Sequence, residues 1–377
     1  MLSTNNLLKP QDGKPVAVPR LDMILGSYYL TMVLDGEKGE GKYFKDPDEA
    51  IMAFENHDVG IHAKIFVRVS KEIDGEIKTG KIETSVGRII FNQGIPQDLG
   101  FIDREKDPFQ YEISFPVMKK SMGQIIEKVI NIHGLIESAE VIDYIKALGF
   151  KYSTLAGITF SMDDVKVPEA KKGLKEADEK VETIRKQYAR GLITNDERYN
   201  AVINVWEDTT KKVSNAMEDN FDELNPIYMM VKSGARGNMN QLRQIAGIRG
   251  LMASTTGKAV EIPIKSSFAE GLDALEYFIS AHGARKGLSD TALRTADSGY
   301  LTRRLVDVSQ DIIVREHDCG TEEGIIVYDI KDGNQIIEKM QERLVGRYPV
   351  KDVINPQTNE LLSLIHISEP TRQAEIS

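Results

Sequence analysis

Residues 231–260 contain Lys232, Arg236, Arg243, Arg249 and Lys258, and no aspartate or glutamate. The chain as a whole leans the other way: 58 acidic against 48 basic residues leave a net charge of −10. That balance argues against a simple nucleic-acid binder working by bulk attraction. A confined basic stripe on an acidic protein is instead what a guarded channel for phosphate or nucleic acid needs. A second basic stretch follows, with Arg285, Lys286, Arg294, Arg303 and Arg304 against Asp290 and Asp297 alone across residues 285–304. Thr291, Thr295 and Thr302 fall near i, i+4 steps and form a small polar face.

Three further groups carry weaker signals. MDDV at 162–165 offers two carboxylates but reads as a loop. GEKGEG at 36–41 lacks the flanking strand and helix that a phosphate cradle requires. Cys319 is the sole cysteine. Alone it reads as a buried thiol, it excludes an internal disulfide framework, and it fits a reducing compartment.

These groups need elements to hold them. Leu272, Leu275, Ile279, Leu288, Leu293, Leu301, Leu305 and Val308 recur at helical spacing across 266–310, with no proline between them. A helix of about 40 residues would reach roughly 60 Å, against the ~8–20 residues usual in globular domains. Gly283, Gly287 and Gly299 each cost about 1 kcal/mol relative to alanine in a helix interior. Such a rod either packs tightly at its glycines or bends there. On these residues alone, a buried core helix with solvated charges is the first reading. A rod spanning a cleft and touching nucleic acid is the second.

Pro168 predicts the start of another helix. Leu174, Ala177, Val181, Ile184 and Tyr188 form its stripe, Gly191 ends it, and Thr194 and Asn195 cap a return helix. That return carries Tyr199, Val202, Trp206, Val213 and Met217. The pair is an antiparallel hairpin whose charged tip, residues 190–197, should project. Earlier, LDMILGSYYLTMVL reads as a short helix or buried element. GIHAKIFVRVS alternates as a strand, with Ile61, Ala63, Ile65 and Val67 on one face. KIETSVGRIIFNQGIP reads as a second strand entering a turn. Residues 121–132 and 137–148 read as helices, the latter closed by Gly149. Within 311–360, IIVRE and GIIVYDI read as strands and 335–344 as a helix. No apolar run reaches the ~18 residues of a membrane span, and the N-terminus lacks a signal-peptide layout.

HGARKGLSDTAL and TADSGYLTRRLVD, within 282–307, resemble the bridge helix of the β′ subunit of bacterial DNA-dependent RNA polymerase. SGARGNMNQLRQIAGIRGLMA at 233–253 resembles the loop that supports that helix. STNNLL near the N-terminus and DCGTEEG near the C-terminus resemble β′ as well, so the resemblance runs to about residue 360. It implies an α+β, multi-part fold, mostly helical, with a long bridge helix, a projecting antiparallel helical hairpin and small mixed β regions. The implied organisation is 1–165, a mixed α/β region following the catalytic-loop domain; 166–220, the hairpin rimming the secondary channel; 221–265, a basic glycine-rich loop region; 266–310, the bridge helix; 311–361, the start of a zinc-containing region; and 362–377, a non-native tail. That tail rests on LSLIHISEPTR at 362–372, which resembles translated sequencing adapter. The chain is accordingly expected to be a fragment, with Met1 an internal methionine.

The resemblance also implies roles. Arg236 would reach the triphosphate of the incoming NTP, a task suited to a fixed bidentate charge. Arg243 and Gln244 would lie beneath the bridge helix as a supporting loop. Arg294, Thr295, Ala296, Tyr300, Arg303 and Arg304 would face the template and active centre, although Tyr300 by spacing alone serves a core equally well. Gly283, Gly287 and Gly299 would be hinges. Arg294 and Asp297 stand where many relatives carry lysine and asparagine. The NADFDGD-type carboxylate motif that holds catalytic Mg2+ is absent, so no catalytic residue is expected here. Cys319 would be one of four zinc ligands, the other three missing. Expected partners are the beta, alpha, omega and sigma subunits, template DNA, RNA, NTPs and secondary-channel factors at the hairpin, with no membrane, in the cytoplasm near the nucleoid. The isolated chain should lack nucleotidyltransferase activity. The competing expectation is a stand-alone nucleic-acid-binding or coiled-coil interaction protein.

Overall fold

The computed structural model describes residues 6–9, 11–73, 76–165, 173–254, 257–313, 315, 320–321, 323–333, 335–347, 349–350, 353–354 and 361–363. The fold is α+β and mostly helical, and it divides into two compact units, Val18–Tyr300 and Met1–Ala17 with Leu301–Ser377.

The larger unit is built on two helices. α1, Asp22–Thr31, buries Ile24, Leu25, Tyr28 and Leu30. A later helix, Lys119–Ala156 (α4 below), packs along it and buries Met122, Ile125, Ile126 and Ile145. The two backbones touch at glycines. A Cβ on Gly149 would lie 2.5 Å from the Met23 carbonyl oxygen, and one on Gly26 would land on the Gly149 carbonyl. Thr31 locks the seam, donating to Ser27 O and accepting from Val117 N, both at 2.8 Å. Residue 134 breaks the longer helix with φ 76° and ψ −172°, a conformation open to glycine. The break falls in the expected gap between 132 and 137. The expected stop at Gly149 does not occur; the helix continues to Ala156 because that glycine serves close packing, and Gly157, at φ 57°, ends it.

In chain order, a three-stranded sheet comes between these helices. β1, Tyr43–Phe44, runs parallel to β2, Ile65–Ile73, which pairs antiparallel with β3, Glu76–Thr84, from Ile65↔Thr84 to Ile73↔Glu76. Ile61, Ala63, Ile65 and Val67 are all buried, as their alternation predicts. α2, Pro47–Glu55, covers the sheet edge and is capped by Asp46, whose carboxylate accepts from Glu49 N at 2.8 Å. The segment after β3 differs from expectation: SVGRIIFN is a helix, α3, Val86–Asn92. Its β-branched residues favour a strand, but Ser85 accepts from Arg88 N, and Gly87 lets the helix close on the Leu30 carbonyl. With α4 in its place, the next elements are the hairpin.

That hairpin forms as its stripes predict. α5, Gly173–Ala189, and α6, Asn195–Asn220, bury Ala177, Val181, Val202 and Trp206 between them. Gly191 turns the chain at φ 74°, and Thr194 and Glu197 form a reciprocal capping box. Pro168 lies outside the described residues. Tyr188 departs from its stripe: it is 44% exposed, with the Arg198 guanidinium over its ring. The tip is exposed, Leu192 at 69%. Just inside it, Arg198 grips Glu261 with two bonds of 2.6 and 2.8 Å. The base of α6 joins α7, Pro226–Lys232, and α8, Met239–Ala246, around Met217, Phe221, Tyr228 and Leu242.

A long helix, α9, covers Ala274–Ser309. In the smaller unit, β4, Ile330–Asp332, pairs antiparallel with β5, Gln335–Glu338, ahead of α10, Met340–Leu344; β6, Val353–Ile354, pairs with β7, Leu361–Ser363. The helix expected over 335–344 is therefore half strand. Gly333 turns the chain at φ 59°, and Asp329 accepts from Met340 N at 2.7 Å, setting the helix start five residues late. Of GIIVYDI only Ile330 is in a strand, and the described residues 312, 313 and 315 of IIVRE are in none. No described helix is long and apolar enough to cross a membrane.

Candidate nucleic-acid interface

The basic segment begins where α7 ends. Asn225 caps α7 by accepting from Ile227 N and Tyr228 N. Gly234 and Gly237, at φ 74° and 75°, bracket Arg236 in conformations that favour glycine. The Arg236 amide donates to Met230 O at 3.1 Å, so its backbone is pinned. Its guanidinium is 58% exposed and lies 3.7 Å from Asp22 at the start of α1. An exposed pair of this kind contributes about 0–1 kcal/mol, so the side chain is presented rather than consumed.

α8 carries the supporting residues. Asn238 and Gln241 cap it reciprocally. Gln244 and Ile245 offer their carbonyls to Phe268 N and Ala269 N, both at 3.1 Å, tying α8 to the chain that enters α9. Arg243 is half-buried, and burial pushes its guanidinium pKa down. Arg249 lies over the Phe268 ring at 4.6 Å and donates Nε to Met252 Sδ at 3.4 Å. Gly250 and Ile264 exchange backbone bonds of 2.9 Å, closing the intervening loop.

Glu276 secures the start of α9. Its carboxylate accepts from Lys265 N, Ser266 N and Asp273 N. Burial opposes ionisation, yet the Ser266, Asp273 and Lys265 bonds hold its pKa below the ordinary value. Beyond Ser280 the helix is open. Arg294, Thr295, Ala296, Tyr300, Arg303 and Arg304 are all exposed. So are the stripe residues Leu288 (73%), Leu293, Leu301, Leu305 and Val308. The core-helix reading is thereby corrected: among the described residues most of the stripe is exposed rather than packed. Thr291 Oγ1 donates to Gly287 O, and Thr295 Oγ1 to Thr291 O, each at 2.7 Å. Gly283 faces the Met252 methyl, whereas a Cβ at Gly287 or Gly299 would meet nothing within 4 Å.

The structure thus places Arg243 and Gln244 on one helix, Arg236 on the preceding loop, and the remaining candidates along α9. Sequence reasoning missed Phe268, Met252 and Glu276; Glu276, three residues after Asp273, carried a capping pattern that could have flagged it. Asp164 of MDDV is spent on a 3-10 turn, accepting from Ser161 N at 2.6 Å, and no group of three or more His, Cys, Asp or Glu among the described residues could hold an ion. Cys319 lies outside the described residues.

Comparison with known proteins covers most of the chain. The families described as RNA polymerase Rpb1 domain 3, domain 4 and domain 5 match residues 6–165, 193–269 and 271–369. The DNA-directed RNA polymerase subunit beta' of Acetivibrio thermocellus is 58% identical over 366 residues, which is 96% of this chain and 31% of that protein. The same subunit of Clostridium perfringens is 57% identical over 366 residues, and that of Caldicellulosiruptor saccharolyticus 57% over 365, with the same shares. The chain therefore spans about a third of the length of the curated relatives it matches.

Proposed function

The chain belongs to the family of the RNA polymerase β′ subunit, and from that premise we propose that it lines the nucleotide-addition centre of a complete enzyme making RNA on a DNA template. The observation that carries this reading is α9: 36 residues, basic along its middle, and exposed from Arg285 to Val308 on nearly every face. A helix of that kind has its partners in other parts of the assembly. We assign it as the bridge helix. Thr295 and Ala296, small and exposed, leave room for a template base pair to stack; Arg294, Tyr300, Arg303 and Arg304 lie along the template strand.

Arg236 reaches the triphosphate of the incoming nucleotide. Its rigid loop fixes the backbone while its guanidinium stays free to exchange a weak pair with Asp22 for a bidentate contact to phosphate. Arg243 and Gln244 hold the loop beneath α9. The α5–α6 hairpin rims the channel by which nucleotides enter, and accessory factors meet its exposed tip. The remaining polymerase subunits, DNA and RNA are the partners. The magnesium ligands belong to another part of the enzyme, and Cys319 is one of four zinc ligands completed elsewhere.

The test is Arg236→Ala in the complete enzyme. Losing a charge-assisted contact should weaken apparent nucleotide affinity by about 1.5–3 kcal/mol; unchanged affinity and rate rule the role out. The isolated chain, given template, nucleotides and magnesium, should extend no RNA.

A further inference from the structure

We propose that the groove between α6 and the loop following α8 is a second anion site, one that holds the phosphate chain of a free nucleoside triphosphate. The groove has a volume of about 610 Å3, within the ~300–1,000 Å3 of ligand clefts. α6 supplies Lys211, Thr210 and Glu207, α8 supplies Asn240 and Arg243, and the loop supplies Arg249. Three cations thus face one carboxylate among the described lining residues. Arg236 is not on this wall.

The charge imbalance is built in. Arg243 and Arg249 are both partly buried, and burial alone accounts for the lowered pKa of each. Two partly buried arginines and Lys211 beside a single carboxylate are under-compensated. The segment carrying the two arginines has no acid anywhere between residues 231 and 260, so it cannot neutralise itself. Glu207 is the one carboxylate among the described lining residues, which leaves the groove net positive and suited to an anion. Arg249 is already held against Phe268 and Met252, so its fork loses little freedom on binding an oxyanion. Arginine forks and an asparagine amide suit tetrahedral phosphate oxygens. A short polyanion fits better than a nucleic-acid strand. Glu207 stands in the lining itself, and a carboxylate there opposes a continuous phosphate backbone more than a short phosphate chain that seats against Lys211, Arg243 and Arg249. The proposal rests on the reading of the chain as part of a nucleotide-polymerising enzyme, which would supply the ligand.

The test is photolabelling of the complete enzyme with azido-ATP in the absence of template, with the labelled peptides mapped. Label is expected within 207–215 or 240–259. Inorganic tripolyphosphate should displace it and adenosine should not. Lys211 is exposed, so Lys211→Glu should leave the fold intact while weakening labelling at least about tenfold, the scale of one charge-assisted contact. Arg243→Gln should weaken it similarly. No label in these segments overturns the proposal, as does label that survives Lys211→Glu or tripolyphosphate, or label displaced better by single-stranded DNA than by tripolyphosphate. Arg236→Ala separates the two readings: it should impair extension and spare the groove label, and normal extension with intact label sinks only the role of Arg236.

Discussion

α4 and α9 are nearly equal in length, 38 and 36 residues, and each has glycines inside it. Their surroundings are opposite. α4 buries ten residues, from Met122 to Tyr152, and its Gly149 is pressed on the backbone of α1; α9 buries Ser280 alone, and its Gly287 and Gly299 face open space. In the first helix Gly149 is there for what it lets approach. In the second, glycine is there for how easily the backbone yields, or for a neighbour supplied by another chain. The difference shows that a long apolar stripe marks a buried face only where the covering surface belongs to the same polypeptide.

The sharpest way to break this contrast is Gly149→Ala. Its Cβ would meet backbone atoms of Met23 that no rotamer change can move, so a loss above about 4 kcal/mol is expected. An unchanged urea midpoint would show that the seam is looser than described. Next comes a matched pair. Ile145→Ala, at a fully buried site, should cost about 3 kcal/mol. Leu293→Ala, 67% exposed, should stay within about 0.5 kcal/mol in the chain alone. If the Leu293 change is costly in the assembled enzyme and not in the chain, a partner covers the stripe.

Gly287→Ala and Gly299→Ala should each favour the helix by about 1 kcal/mol, since neither methyl meets a neighbour in this chain. If α9 bends during nucleotide addition, the elongation rate of the normally assembled enzyme should change by about fivefold. Normal elongation by both variants disposes of the hinge.

The smallest effect concerns the break in α4. His133 precedes Gly134, with Nε2 2.7 Å from Asp98 and Nδ1 3.1 Å from Glu137. The Asp98 hydrogen bond, ahead of the Glu137 interactions, raises its pKa above the ordinary histidine value. A raised folded-state pKa means that the contribution is complete below the unfolded value of ~6.5. It fades as pH rises through the folded value. Wild-type stability should therefore fall slightly over that interval relative to His133→Gln, and a parallel pH course for the two would remove the role.

The hairpin was the most legible part of the chain, because both determinants are local. Val181, Val202 and Trp206 lie on regular stripes, and Thr194 with Glu197 spells its cap. The strand-to-helix change at Ser85 was not legible: Val86, Ile89 and Ile90 prefer strands, and only docking on α1 overrides them. Gly149 looked like a helix stop because sequence does not distinguish a glycine that ends a helix from one that seats it. At the site, the acid-free run announced a basic surface. The half-burial of Arg243, and the arrival of Lys211 from a helix thirty residues upstream, depend on tertiary contacts that no local pattern encodes.

The Gly287 carbonyl has one further consequence. It lies opposite the Thr291 amide in the helical register and also accepts the Thr291 hydroxyl at 2.7 Å. Two donors on one oxygen weaken the backbone bond and favour curvature. They also lower the stretching frequency of that carbonyl. An isotope placed on the Gly287 carbonyl carbon would separate its infrared band from the rest of the protein. Thr291→Val should move the band upward, and any step in the working enzyme that straightens α9 at this point should change the same vibration, making one bond a reporter of the helix's shape.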